Sequence, residues 1–207
     1  TEKSDGYLYI FETKSMKLLQ TLQFPDTNAV AISDDKGMIA IGILGGNEGN
    51  TIGIYNREGK CLRMLRGHQS WINSISFSQD GLFLISSSSD QTSILWNVQT
   101  GEKVLSLIGV KATFGCSHDT ICVVSPQNNL RVIDVATASV IFETDARTIP
   151  IVSYEISKER GVISIIYKNG VMEHWKFLPL QELIDQTRIR FKKRQLTLEE
   201  RKKYYLE

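Results

Sequence analysis

Residues 66–107 read RGHQSWINSISFSQDGLFLISSSSDQTSILWNVQTGEKVLSL, from Arg66 to Leu107. Within this stretch, Ile72–Ser78 and Leu82–Ser86 are short, apolar-polar segments separated by Gln79-Asp80-Gly81. Asp-Gly between alternating apolar residues is a strong hairpin signal, because a tight turn needs a residue that accepts positive φ. Thr92–Trp96 forms a third segment of this kind. After the turn Thr100-Gly101-Glu102, Val104–Leu107 forms a fourth. The segments are short, rich in β-branched residues and bounded by turn residues, with no sustained 3.6-residue period, so they read as four antiparallel strands and not as helices.

The same order recurs on both sides. Gly6–Phe11, Thr51–Tyr55, Leu130–Asp134 and Gly170–Trp175 match the strand Thr92–Trp96. Their corresponding late positions, Phe11, Tyr55, Trp96, Ile133 and Trp175, are 44, 41, 37 and 42 residues apart. A period of about 40 to 45 residues is that of a four-stranded propeller blade. Ala29–Ser33, a turn at Asp34–Gly37 and Met38–Ile41 precede Tyr55 as the hairpin precedes Trp96; Ala112–Cys116 and Thr120–Val124 do so before Ile133. Outer strands follow at Leu62–Leu65 and Val140–Glu143. Helix is rejected throughout, up to Phe177.

Residues 66–107 resemble one complete repeat of the WD-repeat β-propeller family. Gly67-His68 precedes the first strand, Ser86-Ser-Ser-Ser-Asp90 covers the second strand and its turn, and the third ends Trp96-Asn97 where the family usually has Trp-Asp. The resemblance implies a hydrogen-bonded set of His, Ser or Thr, Asp and Trp. Carried over, these are His68, Asp90 and Trp96, with Ser88 or Ser86 as the hydroxyl; the spacing does not choose between the two. Such a set satisfies a buried indole N–H and fixes an imidazole tautomer. The other units depart from the pattern: Tyr55 and Ile133 replace the Trp, no Gly-His precedes them, and Trp175 lacks a matching Asp.

The expected fold is thus an all-β WD-repeat β-propeller over residues 1–177, with blades at 7–24, 29–66, 72–109, 112–145 and 150–177. That is about four and a half blades, where the family usually closes with about seven. Together with the non-Met start at Thr1, this gives the expectation that two or three blades precede it, because an open arc leaves unpaired strand edges. Closure through a second chain is the alternative.

Residues 178–207 change character. Leu180, Leu183, Ile184, Ile189 and Phe191 fall near helical spacing, and Thr197-Leu-Glu-Glu200 reads as a capping box. A helical C-terminal tail is expected, with Leu183, Ile184 and Phe191 as its buried face. The tail carries 8 Lys/Arg against 5 Asp/Glu, while the whole chain has a formal net charge of +1. It resembles the segment after the propeller in bacterial STAND-type WD-repeat signalling proteins, which implies the sensor arm of a multidomain protein.

Composition narrows the function classes. The near-neutral charge makes no electrostatic case for nucleic acid. No apolar run approaches the roughly 18 residues of a membrane span. Three Cys at uneven spacing imply no disulfide framework and fit a reducing, cytoplasmic setting. Ser, His and Asp in the third unit raise a hydrolase triad, but no Gly-x-Ser-x-Gly elbow exposes a nucleophile. Cys116, His118 and Cys122 fall one ligand short of a closed zinc site. The Gly-rich stretch from Gly42 to Gly49 lacks the Lys-Ser/Thr of a phosphate loop, and Lys192-Lys193-Arg194 has no interleaved aromatic. No cofactor, metal or catalytic residue is therefore expected. The expected function is a non-catalytic platform for protein interaction or ligand sensing, with protein partners and further domains or blades of the same polypeptide. A structural scaffold subunit is the alternative, and a hydrolase on a propeller scaffold a further one.

Overall fold

The computed structural model of the chain describes residues 6–12, 14–24, 27–33, 37–43, 50–115, 120–157 and 161–176. Every element among these is a strand. A two-stranded sheet pairs β1 (Gly6–Phe11) with β2 (Leu18–Phe24). The second sheet runs in order through β3 (Thr27–Ile32), β4 (Ile39–Ile43), β5 (Asn50–Tyr55) and β6 (Cys61–His68). The third holds β7 (Ile72–Phe77), β8 (Phe83–Ser88), β9 (Thr92–Asn97) and β10 (Lys103–Ile108). The fourth holds β11 (Lys111–Phe114), β12 (Thr120–Val124), β13 (Leu130–Asp134) and β14 (Val140–Glu143). The last has three strands, β15 (Ile151–Ser157), β16 (Val162–Tyr167) and β17 (Met172–Lys176).

All pairings are antiparallel between sequence neighbours, so each sheet is a meander. The hairpin from β7 to β8 turns where expected. Gly81 takes a φ of 63°, and Asp80 accepts from the Ser78 hydroxyl at 2.6 Å and the Leu82 amide at 2.9 Å. The first strands of successive four-stranded sheets pack on one another, β3 on β7 and β7 on β11, while the fourth strands lie on the opposite sheet edges.

Strand alternation decides which sheet meets which. Successive side chains point to opposite faces, and here both faces are buried. On β8 and β9, Leu84, Ile94 and Trp96 pack back onto Ala40, Ile52 and Ile54 of the second sheet. Ile85 and Leu95, one residue out of phase, pack forward onto Ala112, Ile121 and Val123 of the fourth. On β12, Cys122 and Val124 point the other way, onto Tyr154, Ile163 and Ile165 of the last sheet. Ile39 and Ile41 of β4 meet Phe24, Leu8 and Ile10 of the first sheet. Four cores therefore lie between five sheets, in chain order. The expected tail, with Leu183, Ile184 and Phe191, lies outside the described residues, as do Gly45, Gly46 and Lys192-Lys193-Arg194.

Candidate functional site

His68, Ser86, Asp90 and Trp96 form a hydrogen-bonded network that ties two sheets together. His68 ends β6 of the second sheet, while Ser86 and Trp96 sit on β8 and β9 of the third. The Trp96 indole N–H donates to the Ser86 hydroxyl at 2.8 Å. Ser86 Oγ lies 2.8 Å from His68 Nε2, and His68 Nδ1 lies 3.0 Å from Asp90 Oδ2. A consistent proton assignment follows: indole to hydroxyl, hydroxyl to Nε2, and Nδ1–H to carboxylate.

The hydroxyl in this chain is Ser86 and not Ser88. Both are buried, but they occupy the same strand at even spacing with different partners. Ser86 lies across from Ile94, close enough to the Trp96 ring nitrogen, whereas Ser88 lies across from Ile72 at the strand end. Ser88 instead donates to the Ser70 carbonyl at 3.0 Å and accepts from the Asp90 amide at 3.1 Å. A Cβ at Gly67 would displace the flexible end of the Lys103 side chain and lie 3.1 Å from the Trp96 ring.

Asp90 accepts from the Thr92 hydroxyl at 2.6 Å and from the amides of Thr92 and Gln69, each at 2.8 Å. Burial pushes this carboxyl up, but the bonds from Thr92, Gln69 and His68 outweigh it and hold it at about 2. For His68, burial is the strongest influence and lowers the pKa; the hydrogen bond and charge of Asp90 oppose it only in part. The ring is therefore neutral at pH 7.

Serine, histidine and aspartate here have the connectivity of a hydrolytic triad, yet Ser86 is 0% exposed and already accepts the Trp96 N–H. A nucleophile must reach a substrate carbonyl beside an oxyanion site. This hydroxyl faces a sealed core, so it is not one. Of the cysteine–histidine trio, Cys116 and His118 lie outside the described residues, and Cys122 is buried in the core between the fourth and last sheets.

The Asp90 network also shapes the surface next to it, at a place the sequence reading passed over. Three consecutive residues of the link from β6 to β7 are pinned to the β8–β9 turn. The Gln69 amide donates to Asp90, the Ser70 carbonyl accepts from Ser88, and the Trp71 carbonyl accepts from the Ser89 amide at 2.8 Å. On this pedestal the Trp71 side chain is 62% exposed. The signal was present: alternation sends Ile72 inward, so Trp71 must point out.

Equivalent links at the same end of the neighbouring sheets are pinned the same way. The Gly109 amide donates to Gln91, the Val110 amide to Val124, and the Lys168 amide to Pro150. The Asn128 side chain donates to the Arg147 carbonyl at 3.2 Å. Ile108, Val110, Ile149 and Val171 are exposed along this rim. A shallow cavity of about 210 Å³ opens on it, lined by Arg147, Ile149, Tyr167, Asn169, Val171 and Glu173. Glu173 accepts from Arg147 and the Tyr167 hydroxyl at 3.0 Å each and from the Trp175 indole at 3.2 Å. That carboxylate gives the last sheet a polar anchor where the His–Ser–Trp set is missing.

Comparison with known proteins agrees with the geometry. Residues 59–97 match the WD domain, G-beta repeat. The chain is similar to apoptotic protease-activating factor 1 of Danio rerio, 29% identical over 127 residues, which is 59% of this chain and 10% of that protein. It is also similar to nuclear distribution protein nudF of Aspergillus niger, 33% identical over 82 residues, 39% of this chain and 17% of that one. The chain thus spans less than a fifth of these two curated relatives. Among solved structures, the C-terminal WD40 domain of Sif2 superposes with a TM-score of 0.69 at 20% identity, over 84% of this chain and 52% of that one. The computationally designed Ika4 protein superposes with a TM-score of 0.61 at 21% identity, over 74% of this chain and 92% of that one. The fold is that of a WD-repeat propeller.

Proposed function

We propose that these WD-repeat blades are a non-catalytic docking platform for another protein, with the pinned rim around Trp71 as the contact surface. Trp71 carries the reading. A large aromatic side chain left exposed by a backbone that is already held rigid loses little entropy on binding and buries much area, which is the profile of an interface anchor. The matched relatives support it: one is named for activating a protease, hence for acting on another protein. The seclusion of Ser86 leaves the best-formed polar cluster with a structural role and points away from hydrolysis.

The test is affinity capture with quantitative mass spectrometry, comparing the chain with its Trp71→Ala variant. Truncating an anchor costs about 2 kcal/mol, or about thirtyfold in affinity. Partners should fall away from Trp71→Ala and stay with Val104→Ala, a control on the outer strand β10. An identical set of partners with both variants would remove the rim from consideration.

A narrower reading makes the chain the sensor arm of a bacterial multidomain signalling or defence protein. It rests on the resemblance of residues 178–207 to the tail of such proteins. A structural scaffold subunit differs from it in one respect: its partner stays bound through purification, whereas a sensor binds and releases with the signal. Further blades and domains of the same polypeptide, and a cytoplasmic setting, belong to the same proposal.

A further inference from the structure

Three links between sheets occupy equivalent positions at one end of the molecule. Trp71, Val110 and Pro150 each stand immediately before the first strand of a sheet, β7, β11 and β15. All three are exposed, Trp71 by 62% and Val110 by 37%. Hydrogen bonds repeat with the order: the Ser89 amide donates to the Trp71 carbonyl, and the Lys168 amide donates to the Pro150 carbonyl. Hairpin turns stand between the links and are bonded to them. The Gln91 carbonyl accepts from the Gly109 amide, and the Asn128 side chain donates to the Arg147 carbonyl at 3.2 Å. The rim therefore alternates, with an apolar side chain on each link and an exposed amide side chain, Gln91 and then Gln127, on each turn between. Asp90 is the one charged residue in the links 69–71 and 109–110 and the turns 89–91 and 125–129, and its carboxylate is taken up by His68, Gln69 and Thr92. Lys111, directly after Val110, sets its ammonium 5.5 Å from the centre of the Tyr154 ring. Exposed charge begins beyond these, at Asp145, Arg147 and Lys168, and Arg147 is paired with Glu173. The opposite end of the third sheet, by contrast, exposes Asp80, Glu102 and Lys103.

We propose that this rim takes an extended, uncharged, proline-rich segment of the partner protein in the polyproline II conformation. Its apolar residues, three apart, seat on Trp71, Val110 and Pro150 in turn. The inference rests on the docking reading above and names the chemistry of the partner. Spacing carries it. Packed sheets stand about 10 Å apart, and polyproline II advances about 3.1 Å per residue with about three residues per turn. Every third residue of that helix therefore falls on one side, at the interval of the links. In a β-strand, residues three apart point to opposite faces. An α-helix matches the interval with residues about seven apart, but its backbone bonds are satisfied internally. Polyproline II leaves its carbonyls bare, and the Gln91 and Gln127 amides are donors placed between the apolar positions. The lack of charge sets the rest of the specificity, because a charged side chain seated there would lose water and gain no counter-ion.

The experiment is selection of a phage-displayed library of random dodecapeptides on the full chain, followed by fluorescence anisotropy of the selected peptides. Far-UV circular dichroism checks the fold of each variant. Selected peptides should carry proline, apolar residues three apart and few charges. Their dissociation constants should change less than about twofold from roughly 50 to 500 mM NaCl, since no ion pair is there to screen. Trp71→Ala and Val110→Glu should each weaken binding on the order of tenfold or more, while Val104→Ala on β10 leaves it unchanged. Peptides that depend on Trp71 but space their apolar residues by two, four or seven, or bind with a steep salt dependence, overturn the proposal and leave the docking reading standing. A library that yields no binder, or binders indifferent to Trp71→Ala, overturns it too; the docking reading falls with it only if the captured partners also ignore Trp71→Ala. Should Val110→Glu misfold, Val110→Ala reads the same position.

Discussion

Ser86 sits where three groups of the WD network converge, and its removal differs in kind from that of Ser88. Ser86→Ala leaves the Trp96 N–H and His68 Nε2 buried without partners, and should cost about 2 to 4 kcal/mol in urea unfolding. Ser88→Ala gives up bonds near the turn and should cost about 1 kcal/mol. Equal losses would refute the assignment of the hydroxyl. Titration supplies a second check. His68 and Asp90 both have depressed folded pKa values, so the unfolded chain takes up each proton first as pH falls. Their stabilisation is complete above about pH 6.5, declines below it as His68 is forced to charge, and declines again from about pH 4 toward 2 through Asp90. Melting temperature followed from pH 8 to 3 should show the first decline, and His68→Gln should lack it. A flat profile between pH 7.5 and 5 would contradict a neutral, buried His68.

Individual strands show how a period of two becomes a stack. Ile163 and Ile166 are both on β16, yet one is fully buried against the fourth sheet and the other faces forward. Ile163→Ala should cost about 2 to 5 kcal/mol by cavity formation. Ile166→Ala should cost well under half of that in the same urea titration. Similar losses from the two would contradict the assignment of Ile163, and not Ile166, to the core shared with the fourth sheet. This parity is consistent in the sequence only for β12, whose continuous apolar run from Ile121 to Val124 fits two buried faces, while Ser86–Ser88 and Ser93 interrupt β8 and β9. It was not legible for β1 and β15–β17. Alternation separates the two faces of a strand, but it does not say which is covered.

For the whole molecule, neighbouring sheets share cores, so stability runs along the chain as a series of interfaces. Strands buried on both faces, β8, β9 and β12, should exchange their amide hydrogens most slowly. The half-exposed β1, β14 and β17 should exchange fastest, as read by hydrogen exchange with mass spectrometry. Exchange in β8 as fast as in β1 would contradict a strand buried on both faces.

The sequence by itself determined the repeat, the order of strands within each unit and three of the four members of the WD network. These depend on local chemistry: turn residues, a period of two, and side chains whose polar atoms must find partners. Tertiary structure alone decided the rest. Ser86 and Ser88 have the same residue type and the same strand face, so only the distance to Trp96 and His68 separates them. The exposure of Trp71 depends on a link pinned through Asp90, Ser88 and Ser89, contacts made across about twenty residues of chain. Which sheet face meets which is a property of the stack, because burial belongs to pairs of surfaces and a sequence describes them one at a time.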